Sequence, residues 1–531
     1  MSKNKENIYY ICTLIIINIV CHGFIMLMTG VFWDDWSFVD KNYNIVLNQF
    51  LQSGQIQKIP LILLMWKLPS YCYRIIIWVI YTLTSILFYY ILKKSGLFTD
   101  RESKAAALLY IVVPVNSCRI MLCTIDYGFN LLLFMTSFLL LLLYIENKRK
   151  ILRFISVILL FFSYFQNPIV VFSLIIYIFL LIKEKNIIQG KSIFTVISRV
   201  LTKYFDYIFC PVLFVMIKFI FLSPSGQYEN YTILNIKEVL LYVPYTVINV
   251  LYMLISVGKA FFRVFCGNRI IYICLFIIII ISLIFMIKKG KIDNRFKNIH
   301  LLLIGLLLLF LGQFTYVIAW LNPVILIEGV QSRYCLLLPI GMSIIYVFII
   351  EKLIEENYLK DIVIVFIVIL GIINVNYEYL GFQVESIWQQ SLGYELAKNE
   401  TVKDNNVFVL KNNYDLGADY GNRFYSINGI SKYYAFMDES KFYYYVDGYH
   451  DDLENVEILE NIKHAYLNKQ NIGYLMDDFD FNDTDIDCTI NFNMTSISRI
   501  DAIKITYLEY INHDEYEKKV KTLGRIEIIN E

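Results

Sequence analysis

Apolar runs of about twenty residues recur along most of this chain, and no other feature narrows its fold so far. A run of that length crosses the hydrocarbon core of a bilayer as one α-helix. Of the 531 residues 58% are hydrophobic and 18% charged, too few charges to break the runs into the shorter segments of a soluble core. The first run, Tyr9 to Gly30, is too long for a secretory signal and has no small-residue cleavage site, and many more runs follow it. The class is therefore a polytopic α-helical protein, multi-pass in the cell membrane, with membrane lipid as its first partner.

A net charge of +1 leaves no basic footprint for nucleic acid. The ten cysteines do not pair by spacing, and only Cys488 lies in the polar C-terminal part, which argues against a disulfide framework.

Lys and Arg placement sets the orientation. Lys3 and Lys5 put the N-terminus in the cytoplasm, and the stretch GVFWDDWSFVD (30–40) then follows span one outside. Span two (70–92) returns to Lys93, Lys94, Arg101 and Lys104, and span three (105–123) exits to a short loop holding Asp126 and Tyr127. Span four ends inside at Lys148-Arg149-Lys150. The run 151–182 has basic flanks at both ends, so it is expected to be a hairpin that turns at Gln166-Asn167-Pro168. Span seven is 205–222. Of the two runs in 238–287, the first (238–258, with Pro244 and Asn249) is expected to be re-entrant or interfacial, so that the basic stretch KKGKIDNRFKN stays inside. That leaves Lys259, Arg263 and Arg269 on the outer side. Two further spans frame the outer loop NPVILIEGVQSRY (322–334), and a last span (362–375) exits.

The expected fold is about eleven transmembrane helices over 1–378 and a mixed α/β extracytoplasmic domain over 379–531, with the N-terminus inside. NVFVL (406–410) has the pattern of a buried strand, CTINFNMTS (488–496) alternates like a half-buried one, and HDEYEKKVKTL like a charged helix.

Two adjacent aspartates, Asp34 and Asp35, stand between two tryptophans at the end of span one. After them Val39, Tyr43, Val46, Leu47 and Phe50 share one helical face, while Lys41, Asn44, Asn48 and Gln52 share the other. That is an amphipathic helix lying in the membrane interface, in the first outer loop. The aspartates therefore sit at a joint between a spanning and a surface helix. A carboxylate there suits one chemistry: it accepts the proton of a hydroxyl attacking the sugar carbon of a lipid-linked donor. A neighbouring like charge raises one pKa and makes a better base. The leaving polyprenyl phosphate needs a cation. Arg333 lies at the outer end of a span, and Arg263, Arg269 and Lys259 share its side. A divalent cation such as Mg or Mn is an open alternative for that charge, and the sequence assigns no metal.

These features together resemble the GT-C superfamily of membrane glycosyltransferases: an acidic pair in the first outer loop, an interfacial helix after it, some eleven spans and an outer C-terminal domain. The resemblance covers 1–378. It implies a catalytic carboxylate at Asp34 or Asp35 and a donor sugar linked to polyprenyl phosphate or polyprenyl pyrophosphate; the sugar stays open, and the acceptor is expected among cell-surface glycans, lipid-linked glycans and teichoic acids. No Walker or GxGxxG phosphate loop occurs anywhere, as an enzyme with a lipid-carried donor requires none. The contrasting readings are a lipid-linked glycan flippase or transporter, which needs charges spread through its helix interiors, and a polysaccharide polymerase. Weaker features are His22, expected to be a packed helix residue; the acidic loop DDFDFNDTDID (477–487); GYHDD (448–452); and KFYYYVDGYH as a sugar-stacking surface.

Overall fold

A computed structural model describes residues 3–37, 43–61, 68–188, 192–225, 236–265, 299–320, 327, 329–404, 407–412, 424–435, 442–447 and 488–529. Its helices are α1 (Lys3–His22), α2 (Tyr43–Gln52), α3 (Ser70–Ser95), α4 (Asp100–Val112), α5 (Ile125–Asn147), α6 (Lys150–Ser163), α7 (Asn167–Phe172), α8 (Leu174–Ile187), α9 (Ile193–Lys203), α10 (Phe205–Phe221), α11 (Ile236–Ala260), α12 (Ile299–Trp320), α13 (Leu338–Leu353) and α14 (Asn357–Lys398). Beyond them come α15 (Phe424–Ala435), α16 (Arg499–Ile511) and α17 (His513–Lys521). Among the described residues six helices are long and apolar enough to cross a membrane, or seven if α9 and α10, bent by 69°, form one span. The protein is a helical membrane protein.

One end of the bundle is held by ion pairs. Lys104 meets Glu6 at 2.5 Å and Asp100 at 2.7 Å, Lys94 meets Glu146 at 2.8 Å, and Arg101 meets Asp361 at 3.0 Å. These contacts bring the starts of α1, α4 and α14 together with the ends of α3 and α5. The expected hairpin in 151–182 is there as well. Its break falls at Tyr164–Gln166, between α6 and α7. Arg153 near the start of α6 reaches Asp206 at 2.6 Å, and Glu184 near the end of α8 reaches Lys203 at 2.5 Å, so both basic flanks share one end.

Two expected segments differ. The run 105–123 is not one helix. α4 stops at Val112, and 3₁₀ turns follow at Ser117–Ile120 and Leu122–Thr124. Pro114 is the cause: it forces the preceding Val113 out of the helical region, to ψ 118. The run 238–258 is not a re-entrant loop but lies within one continuous helix, α11, as an interfacial helix or a span would. Pro244 costs that helix a single backbone hydrogen bond. Its Asn249 is satisfied by Gln313 of α12 at 2.9 Å, so it needs no water-filled bend.

The C-terminal part is mixed α/β, as its sequence pattern implies. Strands β1 (Val407–Asn412), β2 (Phe442–Asp447), β3 (Cys488–Met494) and β4 (Gly524–Ile529) form a sheet in the order β2-β1-β3-β4. β1 is parallel to both neighbours, and β3 is antiparallel to β4. Ile490 and Phe492 of β3 point into a core with Trp388, Leu392, Tyr516 and Val520.

No linker separates this part from the bundle. α14 runs unbroken for 42 residues, about 63 Å, across the expected boundary at 378. Its first half packs in the bundle. Gly371 lets it approach α4 closely, where an added Cβ would stand 2.3 Å from the Val112 carbonyl. Its second half, from Tyr379 to Leu392, is buried against the sheet and α15.

Candidate functional site

The stretch Trp33–Ser37 folds as a 3₁₀ turn at the end of the bundle opposite the ion pairs. Trp33 enters it at φ 49, a left-handed backbone that non-glycine residues rarely adopt. The two tryptophans flank the turn and belong to different cores. Trp33 packs with the bundle and Trp36 with the C-terminal sheet. Trp36 lies directly on α15, where a Cβ at Gly429 would stand 2.4 Å from its ring. Gly429→Ala is accordingly expected to destabilise the junction by about 1–3 kcal/mol through overpacking. A fall in melting temperature would accompany faster proteolysis of the C-terminal part, and an unchanged protease pattern would show that the ring is free to move.

The structure separates the two aspartates. Asp35 is fully buried, and both its oxygens accept backbone N–H groups, from Leu122 at 2.9 Å and Cys123 at 2.8 Å. Those amides open the 3₁₀ turn that leads into α5, so Asp35 is the cap of a spanning helix. Burial pushes its carboxyl up to about 6, against the opposing pull of the two amides and of the Arg74 guanidinium. For Asp34 the backbone alone is described.

Arg333 comes to the same turn from three hundred residues away. It lies in the 3₁₀ segment Gly329–Cys335, nearly buried, with its guanidinium 4.1 Å from the ring centre of Trp33 and 4.5 Å from that of Tyr334. It also donates to the Tyr334 hydroxyl. Ser332 docks the segment: its hydroxyl accepts from the Cys118 amide at 3.0 Å and donates to the Gly329 carbonyl at 2.7 Å.

Two more buried arginines lie nearby, and the sequence reading passed over both. Arg74, at the start of α3, donates to the carbonyls of Met28 and Gly30 and lies 5.4 Å from the rings of both Phe32 and Tyr73. Arg119, in the turn after α4, lies 4.5 Å from the Tyr81 ring and donates to the Asn116 carbonyl at 3.0 Å. Neither has a carboxylate within ion-pair distance among the described residues. A cavity of about 10 Å³, room for about one water, lies beside Arg119, His22, Asn116 and Tyr110. A signal for Arg119 was present: a charge within an apolar run is functional by default.

His22 is a packed helix residue, as expected, its ring nitrogens engaged by Tyr379 at 2.8 Å and the Ile111 carbonyl at 2.9 Å. Asp126 is buried with Lys58 at 3.6 Å, and Lys58 is the third cation that the sequence reading missed. Arg263 forms an ion pair with Glu378 of α14, which Arg499 also approaches at 3.8 Å. Glu378 thus stands between Arg263 of the bundle and Arg499 of the C-terminal part. Lys259 is exposed. Arg269, the acidic loop 477–487 and 448–452 lie outside the described residues, and of KFYYYVDGYH the segment Phe442–Asp447 is β2. Among the described residues no three His, Cys, Asp or Glu side chains converge to hold a metal ion.

The chain matches no protein-family model, no curated protein and no solved structure.

Proposed function

We propose that this chain is a membrane glycosyltransferase of the GT-C type. It moves a sugar from a polyprenyl-phosphate carrier to a cell-surface glycan, lipid-linked glycan or teichoic acid on the outer face of the membrane. The observation that carries this reading is the meeting of Arg333 with Trp33, the residue next to Asp34. It sets a buried guanidinium on the turn that carries the acidic pair, and general-base attack on a phosphate-activated sugar needs both groups at one site. Asp35 caps a helix with both oxygens, so the base is assigned to Asp34. Arg333 holds the donor phosphate, with Arg74 and Arg119 adding positive potential. The acceptor oxygen displaces the phosphate in one step, and the anomeric configuration inverts.

The full architecture belongs to the same proposal: about eleven spans, the N-terminus in the cytoplasm and the C-terminal domain outside. Its support is the opposite end of the bundle, where Lys93, Lys94, Arg101 and Lys104 gather. Charge placement also weighs against transport. Most of the buried charged residues described here lie toward the two ends of the bundle, Asp35, Arg74, Asp126 and Arg333 at one and Glu102, Glu184 and Lys360 at the other, while Arg119 sits deeper, against Tyr81 of α3. A single such group falls short of the chain of charges that a path through the membrane would need.

Glycan analysis of cells lacking the gene tests the reading, since one sugar should vanish from a surface polymer. Intact glycans would move a transport role ahead. In a transfer assay on protein in nanodiscs, Arg333→Lys keeps the charge but loses the planar stack on Trp33. Its donor KM is expected to rise about tenfold, and Arg333→Ala to lose about a hundredfold in kcat/KM. Equal activity of all three proteins would remove Arg333 from the donor site.

A further inference from the structure

α16 has two apolar faces, and the C-terminal core covers one of them. Ala502 and Ile505 are buried in that core. On the other side Ile500, Ile503, Tyr507, Tyr510 and Ile511 are each between 45% and 66% exposed. At about 100° per residue these five fall within an arc of about 100°, a continuous stripe rather than scattered surface residues. Lys504 stands at its edge, strongly exposed.

The helix is tied at both ends to the ends of spans. At its start Arg499 donates to the Tyr377 carbonyl of α14 at 2.7 Å and stacks on the Tyr377 ring at 3.7 Å. Near its other end the Tyr510 hydroxyl donates to the carbonyl of Leu27, the last residue of the first span, and Glu509 accepts from Thr29 at 2.9 Å. The heights of these anchors are known from their neighbours. Asn376 donates to the Val20 carbonyl at 3.1 Å and Tyr379 meets His22, so Tyr377 is level with the last turn of α1. Leu27 lies one short 3₁₀ segment further on. α16 therefore slants along the flank of the bundle at the height where the first span leaves the membrane. The side chains of Ile19, Val20 and Leu27, themselves exposed and apolar, continue the surface it borders.

We infer that α16 lies in the bilayer interface, with Ile500, Ile503, Tyr507, Tyr510 and Ile511 seated at the boundary of headgroups and acyl chains. The occupant of the stripe is lipid. Tyrosine anchors at this depth, with the ring among acyl chains and the hydroxyl among headgroups; Tyr507 has that form, while the Tyr510 hydroxyl is held by Leu27 and leaves its ring to the stripe. Lys504 has the stem length to reach the headgroup layer from the edge of the stripe. The C-terminal domain is then seated on the membrane as well as carried by α14. This inference does not depend on the catalytic reading.

The test is photo-cross-linking of the full chain in nanodiscs of phosphatidylethanolamine and phosphatidylglycerol. p-Benzoylphenylalanine replaces Tyr507 in one protein and Ile16, an exposed residue within the first span, in another. Each is first checked for an unchanged melting temperature. The expected result is a lipid-mass adduct at Tyr507 in a yield within about threefold of that at Ile16. Adducts at Ile16 with none at Tyr507 would overturn the inference. So would a product of twice the chain mass, which would make a second copy the occupant.

Discussion

Asp34→Asn is expected to leave a folded protein in which sugar transfer is about a hundred- to ten-thousand-fold slower, the usual cost of removing a general base. The side chain keeps its size and loses only its ability to take the acceptor proton. Melting temperature and donor binding should therefore stay close to wild type while kcat collapses. Cells carrying the variant should lack the same surface sugar as cells without the gene. A variant that keeps the sugar in place would return the acidic pair to an ordinary interfacial turn. Retained anomeric configuration in the wild-type product would sink the single displacement separately, leaving Asp34 to act as a nucleophile.

Asp35 should fail in the opposite way, in stability before activity. Asp35→Leu strands the buried amides of Leu122 and Cys123, at about 1–3 kcal/mol for each unsatisfied donor. Asp35→Asn keeps one acceptor but turns its NH₂ toward the other amide, so a smaller loss of the same kind is expected. The pH dependence distinguishes this residue from the rest of the protein. Folding raises its pKa from 3.8 to about 6, so the folded state favours the protonated form. The stability it contributes is complete below about pH 4 and is lost as pH rises to about 6, by up to about 3 kcal/mol. The melting-temperature advantage of wild type over Asp35→Asn should therefore shrink across that window and level off above it. A constant difference from pH 4 to 7 would show that Asp35 is not held in a desolvated pocket.

Much of this arrangement was legible because it is local or follows from topology. The amphipathic helix α2 shows in its period: Val46 and Phe50 are buried while Asn44 and Asn48 are exposed, as the alternating faces require. Arg333 and Trp33 could be assigned to one end by counting spans, without any knowledge of their contact. What stayed hidden depends on packing. Hydropathy averaged over 105–123 reads as one span, because Arg119 and Asn116 are outweighed by their neighbours and the break at Pro114 is a single residue. The two aspartates are identical in composition. Only the amides of Leu122 and Cys123, some ninety residues away, make Asp35 a cap. The polar second half of α14 looked like the start of a separate domain. In the fold Gln383, Ser386 and Gln389 are buried, and the helix has no reason to end.

That uninterrupted helix makes angular phase, rather than tether length, the quantity that positions the sheet over the bundle. Every residue added or removed between Glu378 and Trp388 would turn all that follows by about 100° and shift it by about 1.5 Å along the axis. A single insertion would swing α15 away from Trp36. Seven residues, close to two full turns, would restore the bearing but lift α16 about 10 Å clear of Leu27 and Thr29. The domain behaves as a key blade cut on its own shaft: it meets the Trp33–Ser37 turn at one azimuth and one height, and no change of length preserves both.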